Sequence, residues 1–172
     1  MAGTPVQGGH GADEACGPTA ARSERRRRAV LTSLGGTMST APLPDDVREL
    51  LGRPNPAVVT TLRPDGQPVS VATWYVLDGD RLLVNMDEAR KRLEYLRNDP
   101  RVSLTALDEH SWYTHVSLQG RVVELVDDPD LVDIDRLSVH YTGKPYPTRD
   151  RRRISAWVEV DSWSGWGAAA QG

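Results

Sequence analysis

Apolar residues along this chain mostly alternate with polar ones or gather in β-branched runs, and three short stretches instead show helical spacing. Ala57-Val58-Val59-Thr60-Thr61-Leu62-Arg63 reads as a strand, Pro64-Asp65-Gly66 as a turn, and Pro68 to Leu77 as the returning strand of a hairpin. Asp78-Gly79-Asp80 supplies the next turn before a third strand, Arg81 to Met86. Val102 to Leu107 is a fourth strand, and Trp112 to Val126 a long fifth with a bulge expected near Gly120. Ile154 to Val160 is the sixth.

The helical stretches fall between these runs. Pro44 to Leu51 carries Val47, Leu50 and Leu51 on one side and stops at Gly52. A basic helix lies within Asp87 to Arg101 and ends at Asp99-Pro100, because a proline biases the residue before it away from helical angles. Pro129 to His140 places Leu131, Ile134 and Leu137 three apart. Six successive, mostly antiparallel strands with short turns predict a mainly β fold, a small barrel with short peripheral helices. In the second strand Val69, Val71, Thr73 and Tyr75 alternate with Ser70, Ala72, Trp74 and Val76. Both of its faces are thus fairly apolar, which suits one face on the core and the other on a partner subunit or a flat ligand.

Residues 1–37 break the pattern. They are rich in Gly, Ala, Ser and Thr, hold the run Arg25 to Arg28, and show no sustained apolar period, so a disordered extension is expected, with a single domain over 38–172. The arginine run loosely resembles a twin-arginine export signal, but the apolar stretch behind it breaks at Gly35-Gly36. With the chain at a net charge of -3 and the extension itself basic, the remainder is acidic, which argues against general nucleic-acid binding. No stretch approaches the roughly 20 apolar residues that cross a bilayer. Cys16 is the single cysteine, so no internal disulfide or cysteine metal cage can form, and a reducing cytoplasm fits.

Against that acidic background Arg90, Lys91 and Arg92 cluster in the first turn of the basic helix. Unpaired N–H groups and the positive end of the helix dipole already favour an anion there, and three cations make the place attractive to a phosphate. The plainer reading is a solvated face, with Glu94 pairing with Arg90 and with Asp87 or Glu88 neutralising the rest. Ala72 and Thr73 are small enough for a planar ring to approach the strand backbone, while Trp74 and Tyr75 read as core or interface aromatics. His110, His115 and His140 lack metal-ligand spacing, and neither a Gly-x-Ser-x-Gly elbow nor a glycine-rich phosphate loop occurs. No residue stands out as a catalytic acid or base or as a metal ligand. A cofactor that brings its own reactivity accounts for that.

Several blocks together resemble the pyridoxamine-phosphate-oxidase-like split-barrel proteins, and within them the branch that uses the deazaflavin coenzyme F420. They are Ala57 to Tyr75, the Arg90-Lys91-Arg92…Leu96-Arg97-Asn98-Asp99-Pro100-Arg101 block, Gln119-Gly120, and Trp163-Ser164-Gly165-Trp166-Gly167. The resemblance implies a homodimer of six-stranded antiparallel split β-barrels, of the FMN-binding kind, with cofactor in grooves at the subunit interface. It implies that Arg90, Lys91 and Arg92 hold the cofactor's phosphate and that Val71, Ala72, Thr73 and Trp74 line its groove. Asn85 and Met86 would sit beside it, with Trp163 and Trp166 closing the pocket. The implied activity is hydride transfer from reduced deazaflavin to a small planar acceptor. FMN in the same fold, or a non-enzymatic F420 carrier, are the alternatives. The oligoglutamate tail of F420 asks for further cations, for which Arg97, Arg101 or Arg149 to Arg153 are available.

Overall fold

The chain folds where its turn residues direct it. In the computed structural model, which describes residues 39–40 and 42–170, Gly66 takes a left-handed φ of 82° in the Pro64-Asp65-Gly66 turn. That angle is cheap only without a Cβ. Strand β2 (Ala57–Leu62) thereby returns as β3 (Pro68–Thr73), with Val59 opposite Val71. After β4 (Val76–Asp78), the next turn leads into β5 (Arg81–Asp87). The long β7 (His115–Asp127) lies between β6 (Arg101–Leu107) and β8 (Arg153–Trp166), and β1 (Ser39–Thr40) adds a short rung to β8. The α-helices among the described residues are α1 (Asp45–Gly52), α2 (Lys91–Asn98) and α3 (Val132–Thr142). The disordered extension expected over 1–37 lies outside the described residues.

All strand pairings are antiparallel, in the order β3-β2-β6-β7-β8-β5-β4. The two terminal strands of that order are joined in sequence by Trp74 and Tyr75 alone. A flat sheet would hold them far apart, so the sheet must curl, and no β3–β4 ladder is formed among the described residues. Burial follows the curl. Ala57, Val59 and Thr61 of β2 point inward, as do Val116, Leu118 and Val122 of β7. Val59, Val84, Val102, Val122, Ala156 and Val158 from five strands line one small interior void beneath Leu96 of α2. β5 is buried on both faces: Leu82, Val84 and Met86 join this core, while Leu83 packs on Ile134 and Leu137 of α3.

The expected count of six strands is corrected to eight strand segments among the described residues. β1 is new, and Pro68 to Leu77 is two strands, because its two halves pair with different neighbours, β3 with β2 and β4 with β5. At the break the Tyr75 side chain is fully buried and its N–H bonds to the Tyr141 hydroxyl at 3.4 Å. The bulge expected near Gly120 is present as a register shift between Gln119 and Gly120. A Cβ at that position would lie 2.1 Å from the Glu159 carbonyl oxygen, so the close approach of β7 and β8 needs a residue without one. β8 continues past Val160 to Trp166, carried along by the long β7. α3 begins at Val132 instead of Pro129, since Leu131 adopts a left-handed φ of 61°.

Tyr75 carries a cost. Its hydroxyl is buried and has no hydrogen-bond partner among the described residues, and an unpaired buried hydroxyl costs about 1–3 kcal/mol. The chain has no phenylalanine anywhere. Tyr75→Phe should therefore raise unfolding stability by about 1 kcal/mol; a lower melting temperature in a thermal scan would show that the hydroxyl has a partner.

Candidate functional site

The break between β3 and β4 opens a cleft of about 510 Å³. Pro54, Pro56, Ala57, Ala72, Thr73 and Trp74 contribute to its lining. Ile134, Leu137 and Tyr141 of α3, Tyr146 beyond it, and Asn85, Arg92 and Arg153 complete it. Trp74 stacks on Tyr141, with centroids 5.4 Å apart and planes at 15°, and meets Tyr146 edge-on at 6.5 Å. The Tyr141 hydroxyl donates to the Asn55 carbonyl oxygen at 2.9 Å, fixing this aromatic wall. Burial pushes the Tyr141 hydroxyl up to about 12, so it stays protonated at neutral pH.

Two arginines and no carboxylate line the cleft. Arg153, 8% exposed, donates from Nε to Asn85 Oδ1 at 2.8 Å and lies over the Tyr146 ring, 4.9 Å from its centroid. It makes no ion pair among the described residues. Arg92 is half-buried, and its buried Nε has no partner among those residues. Burial, then the nearby charges of Arg90 and Arg153, hold the Arg92 guanidinium below its ordinary pKa. A guanidinium remains charged nonetheless. Two like charges thus share one cleft and act on each other, which an anion would relieve.

Ala72, Thr73, Trp74, Asn85 and Arg92, all singled out in the sequence, meet in this cleft. The other expected residues lie elsewhere. Arg90 precedes the first turn of α2 and is exposed; Lys91 is exposed and takes Glu94 at 3.2 Å, the partner that the plainer reading assigned to Arg90. Val71 is 37% exposed and outside the lining. Met86 alternates away from Asn85 into the interior core at 2% exposure. Trp163 is buried in that core, and Trp166 packs edge-on against Tyr113 at 6.1 Å. Both stand at the opposite end of β8 from Arg153, about 30–40 Å of extended chain away, and do not line the cleft of their own chain.

Arg153 and the tyrosines of α3 and its following loop were not marked as cleft residues. The signal for Arg153 was its place as the last of the Arg149 to Arg153 run, where the polar segment turns into the apolar β8. Its neighbours are spent on carboxylates: Arg149 on Asp135, Arg151 on Asp87 and Arg152 on Glu88 and Asp127. Arg101, another candidate for the tail, is held by Asp99, while Arg97 is exposed on α2.

The family described as pyridoxamine 5'-phosphate oxidase matches the chain over residues 43–167. No curated protein sequence matches it. Among solved structures, one described as an F420 reductase is 27% identical, with a TM-score of 0.64 over 70% of this chain and 98% of that one. A conserved hypothetical protein from Mycobacterium tuberculosis is 20% identical, with a TM-score of 0.61 over 76% and 88%. General stress protein 26 from Bacillus anthracis is 14% identical, with a TM-score of 0.56 over 71% and 92%. The last two likenesses are likenesses of fold. No helix among the described residues is long and apolar enough to cross a membrane.

The turn that delivers α2 to the cleft depends on Asp87. Its Oδ1 accepts from the Ala89 N–H at 2.9 Å, its carbonyl from the Arg90 N–H at 3.0 Å, and its Oδ2 from Arg151 at 3.2 Å. The Ala89 hydrogen bond, and then Arg151, hold the Asp87 carboxyl below the usual carboxylate range, against the opposing effect of burial. A carboxyl depressed in the folded state contributes stability above its unfolded pKa of about 3.9 and loses it as pH falls through the lower folded value. Asp87→Asn should therefore be less stable than the parent chain in urea at pH 6, with the difference shrinking towards pH 2. A difference that does not depend on pH would contradict this role.

Proposed function

The chain belongs to the pyridoxamine 5'-phosphate oxidase family, and we propose that it is an F420-dependent oxidoreductase, a homodimeric split barrel reducing a small planar organic acceptor. The observation that carries the reading is the pair Arg92 and Arg153 in a carboxylate-free, aromatic-walled cleft. A phosphorylated cofactor fits that donor set: Arg92 brings a buried Nε without a partner, and guanidinium forks match phosphoryl oxygens. The likeness to an F420 reductase at 27% identity, spanning 98% of that chain, favours deazaflavin over FMN.

In this reading Arg92 and Arg153 hold the phosphoryl group, assisted by the first turn of α2 with Arg90 and Lys91. β3 ends the strand order, so its outer backbone row, as far as Thr73, has no partner strand among the described residues. That row can read the polar edge of a flat ring without any special side chain. Trp74, Tyr141, Ile134 and Leu137 exclude water beside it. When bound, reduced F420 supplies a hydride to an acceptor; the protein's part is to orient the partners and keep the space dry.

The test is a pair of titrations of the purified chain, with F420 and with FMN, followed by tryptophan quenching. F420 is expected to bind, and Arg92→Ala to weaken it about tenfold or more, a loss of about 1.4 kcal/mol or greater. Exposed, already paired Lys91 should matter less, so Lys91→Glu should weaken it by a smaller factor. Tight FMN binding without an F420 response contradicts the cofactor assignment. Turnover with a planar acceptor separates an enzyme from a carrier.

A further inference from the structure

Behind Arg153 lies a chain of buried polar side chains that the cleft itself does not explain. Asn85, 5% exposed, gives its Oδ1 to Arg153 Nε at 2.8 Å and donates from Nδ2 to Asp128 Oδ2 and to Ser155 Oγ, each at 3.1 Å. Asp128, 6% exposed, also accepts from the first turn of α3: the Asp133 N–H reaches Oδ1 at 3.2 Å and the Ile134 N–H reaches Oδ2 at 3.0 Å. Its own N–H donates to the Arg153 carbonyl at 2.9 Å. Ser155, fully buried, donates from Oγ to Asp133.

The chemistry at the two ends fixes the middle. A guanidinium can only donate and a carboxylate can only accept, so the Asn85 amide between them has one satisfactory orientation, with oxygen towards Arg153 and nitrogen towards Asp128. The amide also keeps the carboxylate one residue removed. A direct ion pair would occupy the guanidinium, as carboxylates do for Arg149, Arg151 and Arg152. With Nε held by a neutral acceptor and the plane resting on Tyr146, the terminal N–H groups of Arg153 remain available to the cleft. The same carboxylate anchors the start of the helix that supplies Ile134, Leu137 and Tyr141.

We propose that Asp128 is a positioning residue for the anion site: through the Asn85 amide it sets the direction of the Arg153 guanidinium while never neutralising it. The proposal rests on the reading of the cleft as a site for a phosphorylated cofactor.

A double-mutant cycle on the full chain tests it, with F420 and FMN titrated separately and the tighter binder used throughout. Arg153→Gln should weaken binding about tenfold, and Asp128→Ala and Asn85→Leu about fivefold each. Adding Asp128→Ala to Arg153→Gln should weaken it less than twofold further, even though the loss of the α3 cap still lowers the melting temperature. In the ligand-free chain, the Arg153 Nε–H resonance, assigned by its loss in Arg153→Gln, should move in both Asp128→Ala and Asn85→Leu. Asn85→Leu leaves the bonds from Asp128 to α3 intact and keeps the test open if Asp128→Ala does not fold. An Asp128→Ala effect fully retained in the Arg153→Gln background, or an unmoved resonance in Asn85→Leu, overturns the positioning role. Unchanged binding in Arg153→Gln itself, or binding of neither cofactor, overturns the cofactor reading instead.

Discussion

A guanidinium held in an aromatic cleft without a carboxylate is the constraint on which the rest depends. Taking such a charge out of water costs several kcal/mol unless hydrogen bonds and counter-charge compensate. Here the compensation for Arg153 is partial, consisting of the Asn85 oxygen and the Tyr146 ring face. For Arg92 it is less, since its buried Nε has no partner among the described residues. Elsewhere the chain pairs its arginines freely, with Asp80, Glu49, Asp99 and Asp78 among the acceptors. Of the arginines without an ion pair among the described residues, Arg90 and Arg97 are exposed to water, whereas Arg92 and Arg153 are at least half-buried and share one cleft. That this cost is borne twice in one place is what supports the proposal that the cleft receives an anion.

The architecture explains why the receptor can exist. Because β3 and β4 occupy opposite ends of the strand order yet lie two residues apart in sequence, the curled sheet must bring its ends together without joining them. The gap so formed is lined by Trp74 together with α3, on whose Tyr141 the indole stacks. β5 stands behind it with both faces buried, one packed into the interior core and the other carrying Leu83 and Asn85 towards α3. The hydrophobic core and the polar site are therefore two faces of one strand, which couples the stability of the first to the geometry of the second.

Much of this was legible in the sequence. The turns at Pro64-Asp65-Gly66 and Asp78-Gly79-Asp80, the bulge at Gly120 and the end of α2 before Pro100 follow from local backbone chemistry, and local chemistry is what a sequence displays. The split of Pro68 to Leu77 was not legible, because Trp74 and Tyr75 have good strand propensity and leave the ladder only to satisfy pairing at the two sheet ends. The basic cluster pointed to the right helix but ranked its members equally. Burial separates them: Arg92 turns into the cleft while Lys91 meets Glu94 in solvent. Arg153 sits in a run of similar residues, and only the three-dimensional placement of carboxylates shows which of them is left without an ion pair. Met86 and Trp163, adjacent to the site in motif terms, are directed into the core by strand alternation and by distance along β8.

The most direct measurement is a crystal structure of the chain with F420 bound. The phosphoryl oxygens should lie about 2.7–3.0 Å from guanidinium nitrogens of both Arg92 and Arg153, with the ring against the backbone of Ala72 to Trp74. A cofactor seated elsewhere, with both guanidinium groups turned to bulk water, would contradict the account.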